Sequence, residues 1–483
     1  MNDISTPASE AAPTATAPSS APPPRGFWAT VREAIHGSEL DFTRVPVSRA
    51  VLLLAVPMVL EMVMESLFAV VDIFWVSRLG SHAVAAVGLT ESMLSILYAV
   101  AMGISSASTA LVARRIGEQN PEDAAKTAVQ AIAFGTLSSL FFGAIGAIFA
   151  APLLTAMGAE PETVKIGTGY TAVMLGGNVT ILMLFIVNAI FRGAGDAATA
   201  MRTLWIANML NIVLGPCFIF GWGPCPELGV MGAAVATTLC RGIGVAYQLF
   251  SLARGKRIAI ARRHLRFDAE KMVALLKIAS TGALQTLIET ASWLGLVRIL
   301  ARFGSASLAG YTIGVRILIF ALLPSWGLAN AAATLVGQNL GANEPARAQR
   351  AVWLTALYNF IFLTSVAVIF VALPEPIVRW FTNEPDVVPY AVDCLRIVAL
   401  GFMFFAIGMV TMQAFNGAGD TVTPSIINFT SFWLVKIPLA YVLAIHLDMG
   451  PHGVFVAVTF AYGLQTLIAV TLFRRGKWKL KKV

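Results

Sequence analysis

The chain has 483 residues, of which 57% are hydrophobic and 12% charged, against roughly 45–50% and about 25% in an ordinary soluble protein. Its mean hydropathy of +0.76 leaves more apolar surface than water-soluble cores can bury, since single cores stop growing at about 250–300 residues. This argues against a soluble enzyme, and the net charge of +8 would suit a nucleic-acid partner only if its basic residues formed a patch, which they do not.

Residues 1–24 hold six of the 23 prolines among Ala, Ser and Thr and lack an apolar h-region, so they read as a disordered leader rather than a signal peptide. Over 25–47, Phe27, Trp28, Val31 and Ile35 share one helical face beside Arg25, Arg32 and Arg44, a pattern of either a helix lying on the membrane surface or an ordinary linker. Twelve apolar runs follow, at about 51–76, 84–113, 124–150, 165–191, 199–221, 229–252, 273–300, 307–336, 349–373, 388–416, 423–446 and 453–473. Each is long enough to cross a ~30 Å hydrocarbon layer as a helix. None alternates with period two, so barrel strands are disfavoured.

Of the 34 Lys and Arg, 25 fall on one side of these runs, four (Arg78, Lys165, Arg302, Arg379) on the other and five (Arg241, Arg298, Arg316, Arg396, Lys436) within them. Short translocated loops avoid positive charge, so both termini are expected in the cytoplasm, and the basic balance is topogenic.

The chain also repeats itself at an offset of 224 residues: Gly193-Ala194-Gly195-Asp196 recurs as Gly417-Ala418-Gly419-Asp420, Arg78-Leu79-Gly80-Ser81 as Arg302-Phe303-Gly304-Ser305, and Glu65 falls on Glu289. Duplication of six spans predicts an all-α polytopic membrane protein of twelve transmembrane helices, two six-helix bundles related by a pseudo-two-fold axis along the membrane normal. The expected units are an N-terminal lobe at 48–253, a basic linker at 254–271, a second lobe at 272–475 and a basic tail at 476–483. A substrate cleft is expected where the lobes meet.

A charge at mid-span costs about 2.5–3.5 kcal/mol on insertion scales, so intramembrane acids are functional candidates. Glu61, Glu65 and Asp72 lie 4 and 7 residues apart in the first span and fall within roughly 40° of one another at about 100° per residue. Pro57, one turn earlier, is a candidate hinge. Glu91 is either a further cavity acid or a partner to these, and Glu289 stands well inside the seventh span. Such acids can hold a proton, bind Na⁺ or attract an organic cation, and mutually exclusive occupancy of them is antiport. Arg298 and Arg316 read as structural neutralisers of inward-facing acids. Asn188, Asn208, Asn211, Gln413 and Asn428 suit interhelical hydrogen bonds or ion coordination. The five scattered histidines and four cysteines form no catalytic, zinc or disulfide pattern, so no enzyme and no cofactor is expected.

Leu54-Ala55-Val56-Pro57-Met58, Val71-Asp72-Ile73-Phe74-Trp75-Val76, Phe191-Arg192-Gly193-Ala194-Gly195-Asp196, Val336-Gly337-Gln338-Asn339-Leu340-Gly341-Ala342 and Asn416 to Asp420 together resemble the multidrug and toxic compound extrusion (MATE) family of cation-coupled exporters, from Val47 to Arg475. The resemblance implies two bundles rocking about a central cleft in a bacterial cytoplasmic (inner) membrane, a monomer exchanging amphipathic, often cationic, organic compounds for inward Na⁺ or H⁺. It implies cation coupling at Asp72 with Asn211 and Thr237, or at Glu289, with Glu65, Glu61 and Asp420 as further coupling candidates. Substrate contacts are expected at Asp72, Glu65, Glu91 and Glu289. Asp420 suits helix capping equally well. The family's Asn-x-x-x-Asp pattern meets Gly215 where the aspartate belongs, so Glu65 or Glu61 is expected to supply the missing carboxylate. The alternative is a lipid-linked saccharide flippase of the same architecture.

Overall fold

The computed structural model describes residues 26–255 and 257–481; the leader expected over 1–24 lies outside them. No strand occurs among the described residues. In the first half the helices are α1 (Phe27–His36), α2 (Val47–Ser77), α3 (Ser81–Gly117), α4 (Pro121–Ile148), α5 (Ala150–Ala156), α6 (Pro161–Gly176), α7 (Asn178–Ala194), α8 (Ala197–Phe220) and α9 (Val230–Arg254). In the second half come α10 (Ala269–Leu300), α11 (Ser305–Gly341), α12 (Pro345–Ala372), α13 (Pro374–Arg379), α14 (Val388–Ala399), α15 (Phe402–Gly417), α16 (Val422–Asn428), α17 (Ile437–Tyr441) and α18 (Pro451–Arg474). Among the described residues eleven helical stretches are long and apolar enough to cross a membrane, or twelve when α14 and α15, bent by 57° at their junction, count as one span.

The spans end within five residues of the apolar runs. Most start earlier, where polar caps precede the apolar stretch. Asn120 accepts from the Asp123 amide ahead of α4, Asp196 from Thr199 ahead of α8 and Asp268 from Lys271 ahead of α10, while Pro121, Pro161 and Pro345 take first-turn positions that need no donor. The duplication is legible in the backbone. Gly80 and Gly304 precede helices at φ 97° and 94°, Gly195 and Gly419 turn at 85° and 79°, and Gln119 and Asn343 both stand at 57°, each pair 224 residues apart. The apolar pattern encodes neither the π-helical turns over Phe429–Lys436 and Val442–His446 that flank α17 nor the break at Gly177 that separates α6 from α7.

Each half has its own apolar core, but one helix of each crosses over. The start of α2 (Ala50 to Met58) packs with Ala331, Leu335 and Ala351 of the second half. The start of α10 (Leu275, Ile278, Ala279) joins the first-half core. These crossings lie on the side of the basic linker, where α3 and α11 also meet. A Cβ on Gly117 would overlap the Gln338 backbone, and one on Gly341 the Arg114 carbonyl, so only glycine allows this approach. Gln338 Nε2 donates to the Gly193 carbonyl at 2.9 Å, joining the halves. The linker side is thereby closed.

A strap reinforces the closure. Glu33 of α1 pairs with Arg49 at 2.8 Å, Arg257 of the linker donates to the Leu40 carbonyl at 2.5 Å, and Arg347 of α12 donates to the Phe42 carbonyl at 3.0 Å. Phe27 and Trp28 on α1 stay exposed while Thr30 and Ala34 are buried.

Candidate functional site

The α2 helix runs through Pro57 without a break and carries Glu61 and Glu65 into a cavity of about 1060 Å³ between the halves. Its opposite wall is Leu323, Trp326 and Asn330 of α11 with Gln413 and Asn416 of α15. Gln413 donates to Asn330 at 3.2 Å and Asn416 donates to Gln413 at 2.9 Å, so this wall is a linked amide row beside aromatic and aliphatic surface, with the Asn416 side-chain oxygen buried and without a partner among the described residues.

The acids do not stand alone. Buried Glu61 accepts through Oε1 from Asn188 Nδ2 at 3.1 Å and Arg192 Nη1 at 3.3 Å, and Gln248 Nε2 fixes Asn188 from behind at 2.5 Å. Its second oxygen is buried with no partner among the described residues. Glu65 accepts from Asn208 Nδ2 at 3.1 Å and faces Arg241 Nη2 at 3.6 Å. Arg241 in turn lies 5.7 Å from the centre of the Phe68 ring and within electrostatic reach of Asp72, Glu91 and Tyr98. One buried guanidinium thus sits among three acids.

Asp72 is half-buried and Glu91 exposed, and both lie outside the cavity lining, nearer the side away from the linker. Asn211 Nδ2 donates to Thr237 Oγ1 at 2.9 Å, bringing together the two groups expected to share a cation with Asp72. Beside them a Cβ on Gly215 would stand 3.5 Å from Asn211 Oδ1, so the side chain missing at 215 would have adjoined this pair. Of the two acids expected to replace it, Glu65 is the one bonded to α8, through Asn208 one turn from Asn211. Glu61 is bonded to α7 instead. Among the described residues no three His, Cys, Asp or Glu cluster as a metal site, and the four cysteines are free.

In the second half Glu289 lines a separate cavity of about 910 Å³ with Trp293, Tyr311, Tyr462 and Lys436. Lys436 is buried, its Nζ 3.9 Å from the centre of the Phe432 ring and its charge within reach of Glu289. Trp433 Nε1 donates to the Ile288 carbonyl at 3.0 Å as Trp205 Nε1 does to that of Leu60 at 3.1 Å. These bonds are 228 residues apart, one helical turn more than the loop offset. By that measure Glu289 stands where Glu61 stands, rather than Glu65, and Lys436 where Asn208 stands.

Asp420 lines neither cavity. Its carboxylate accepts from Thr423 Oγ1 at 2.7 Å and pairs with Lys481 of the tail at 3.3 Å, the counterpart of the cap that Asp196 forms with Thr199. Arg298 and Arg316, expected to neutralise acids, are exposed and form no ion pair among the described residues. That task falls to Arg192, Arg241 and Lys436. Charge counting places Arg192 with the topogenic loop residues; its position four residues after Asn188, on the same helical face, is the signal that marks it as inward-facing.

The MatE family model matches residues 57–217 and 282–442, one copy in each half. A probable multidrug resistance protein NorM of Thermotoga maritima is 27% identical over 94% of this chain and 98% of its own length. A crystal structure of MATE in complex with MaL6 superposes with a TM-score of 0.86 at 24% identity, covering 91% of this chain and 99% of that one. A MOP superfamily transporter from Pyrococcus furiosus, described as having a binding pocket of reverse polarity that suggests a different function, is 26% identical with a TM-score of 0.83 over 92% and 98% of the two chains.

Proposed function

Because this multi-pass membrane protein belongs to the MatE family, we propose that it is a secondary active multidrug exporter, a monomer that exchanges amphipathic, often cationic, organic compounds for inward Na⁺ or H⁺. It works in a bacterial cytoplasmic membrane with both termini in the cytoplasm. The carrying observation is the cavity between the halves, where Glu61 and Glu65 are each held by an arginine from another helix of the same half. A largely apolar surface interrupted by amide, hydroxyl and charged groups suits varied amphipathic ligands.

In this reading Arg241 is the moving part. While Glu65 is ionised it retains Arg241. A proton or Na⁺ at Glu65 cancels that attraction and lets Arg241 turn towards Asp72 and Glu91, which already feel its charge. A bound organic cation and the coupling cation then compete for the same carboxylates, and the loser leaves on the open side. Asp72 with Asn211 and Thr237, together with Glu65, forms the first-half coupling site, and Glu289 with Lys436 a second. Glu61 contributes a buried charge to the first site, and Asp420 acts from the linker-side mouth. With the linker side closed, the conformation described above is the one that releases substrate outward.

The two cavity arginines also support the second reading, export of a lipid-linked saccharide, whose phosphates they would contact. Equilibrium binding of a fluorescent organic cation to detergent-solubilised protein separates the two. The exporter reading expects binding that Na⁺ or acid displaces and that Glu65→Gln makes insensitive to them. No binding of any such cation, with binding of a polyprenyl diphosphate instead, would favour the flippase.

A further inference from the structure

Where the two halves of a bundle protein translocate short loops, positive charge is scarce, and each of three exposed basic residues on the side away from the linker has a partner in this protein. Arg78 stacks on Phe74 and Trp75 with ring distances of 4.6 and 4.9 Å, Lys165 pairs with Glu162 at 3.7 Å, and Arg379 with Glu375 at 2.7 Å. Among the described residues Arg298 has neither an ion pair nor a ring contact, and Arg302 has a ring contact alone. They are one turn apart, Arg298 in the last turn of α10 and Arg302 just beyond its end, both are exposed, and neither forms an ion pair among the described residues. Arg302 lies over the Tyr441 ring, 5.6 Å from its centre, a looser contact than the 4.6 and 4.9 Å of Arg78.

Both arginines line a groove of about 960 Å³ whose remaining walls are apolar, with Trp433, Ile437, Pro438 and Tyr441 opposite them. The groove lies on the outside of the bundle. Glu289, Trp293 and Leu296 of α10 face the inner cavity with Phe432 and Lys436, whereas Arg298 is nine residues from Glu289 and so half a turn round the helix. No residue is shared between the two linings. The π-helical turns on either side of α17 shape the apolar wall, and Gly295 lets α10 approach Ile437 at its floor, where a Cβ would come within 3.0 Å.

We propose that this groove binds an anionic glycerophospholipid of the leaflet opposite the basic linker, one acyl chain lying along Trp433 and Ile437 and the phosphodiester held by Arg298 and Arg302. Two guanidiniums without carboxylates at the rim of the hydrocarbon layer are costly unless an anion meets them. The fork geometry of arginine matches a phosphate in two bonds. Two positive charges on one headgroup favour a lipid with net negative charge over a zwitterionic one. The lipid would brace α10 against α17 on the outer face of the helix that carries Glu289.

The test is native mass spectrometry of the full chain titrated with palmitoyl-oleoyl phosphatidylglycerol or phosphatidylcholine, combined with a photoactivatable phosphatidylglycerol whose crosslinks are mapped by peptide. We expect at least a fivefold preference for phosphatidylglycerol, crosslinks in the peptide spanning 433–442, loss of both in Arg298→Gln/Arg302→Gln, and retention of the preference in Arg298→Lys/Arg302→Lys. Arg262→Gln/Arg263→Gln, on the linker, should leave the 433–442 crosslink unchanged. No headgroup preference in the native chain, or crosslinks confined to peptides on the linker side, would overturn the assignment. If the glutamine pair does not fold, the native crosslink map and the lysine pair still decide it.

Discussion

Glu61 is 2% exposed, shares one carboxylate oxygen between Asn188 and Arg192, and leaves the other without a partner among the described residues. Removing one member of such a pair strands a buried charge, which costs about 3–5 kcal/mol, whereas removing both can be nearly neutral. Arg192→Met is therefore expected to lower thermal stability in detergent steeply, and Glu61→Gln/Arg192→Met to recover most of it. A double variant as unstable as the sum of the singles would show that the pair is not coupled. Gln248→Leu should act in the same direction more weakly, by about 1–3 kcal/mol, since it leaves the buried Asn188 carbonyl oxygen without its donor. The acids of this site were legible in the sequence because a carboxylate in a lipid-spanning run is conspicuous. Their partners were not. Arg192 sits at a helix end, where hydropathy and charge counting read it as a loop residue, and only the approach of α7 to α2 turns it inward. Lys436 was visible as a charge, but its relation to Glu289 depends on a turn of π-helix that no apolar pattern encodes.

The elements were legible in their number, length and polarity, and left-handed turns of the structure recur at the 224-residue offset read from the sequence. What eluded the pattern is set by hydrogen-bond register and contact rather than by hydropathy: the 57° bend between α14 and α15, the π turns around α17, and the crossing of α2 and α10 into the opposite halves. The crossing of α3 and α11 is where an element-scale prediction bears on function. Gly117→Leu or Gly341→Leu places side-chain atoms where backbone already lies, so the linker side should fail to close. Labelling of a single cysteine placed at Ala113 is expected to rise several-fold in either variant while membrane insertion is unaffected, and transport to fall at least tenfold. Unchanged labelling would mean that the contact is not needed for closure. The strap makes a milder version of the same statement. Arg347→Ala, which frees the Phe42 and Val45 carbonyls from α12, should raise linker-side labelling without abolishing transport.

At the scale of the whole molecule, two bundles with separate cores share a charged cavity and are locked together on the linker side. The asymmetry of Lys and Arg predicts that cysteines at 266 and 350 react with an impermeant reagent only from the cytoplasmic side, and one at 384 only from outside. The opposite pattern would invert the direction assigned to the closed side. In the proposed mechanism cation binding at the first-half acids drives export. The most direct measurement is the initial rate of organic-cation movement in proteoliposomes under a Na⁺ gradient alone, a pH gradient alone and neither, for the native chain, Glu65→Gln, Asp72→Asn and Glu289→Gln. Gradient-driven transport is expected in the native chain, reduced at least tenfold by Glu65→Gln and by Asp72→Asn. Full coupling in both of these variants, or no gradient-driven movement of any organic cation by the native chain, would contradict it.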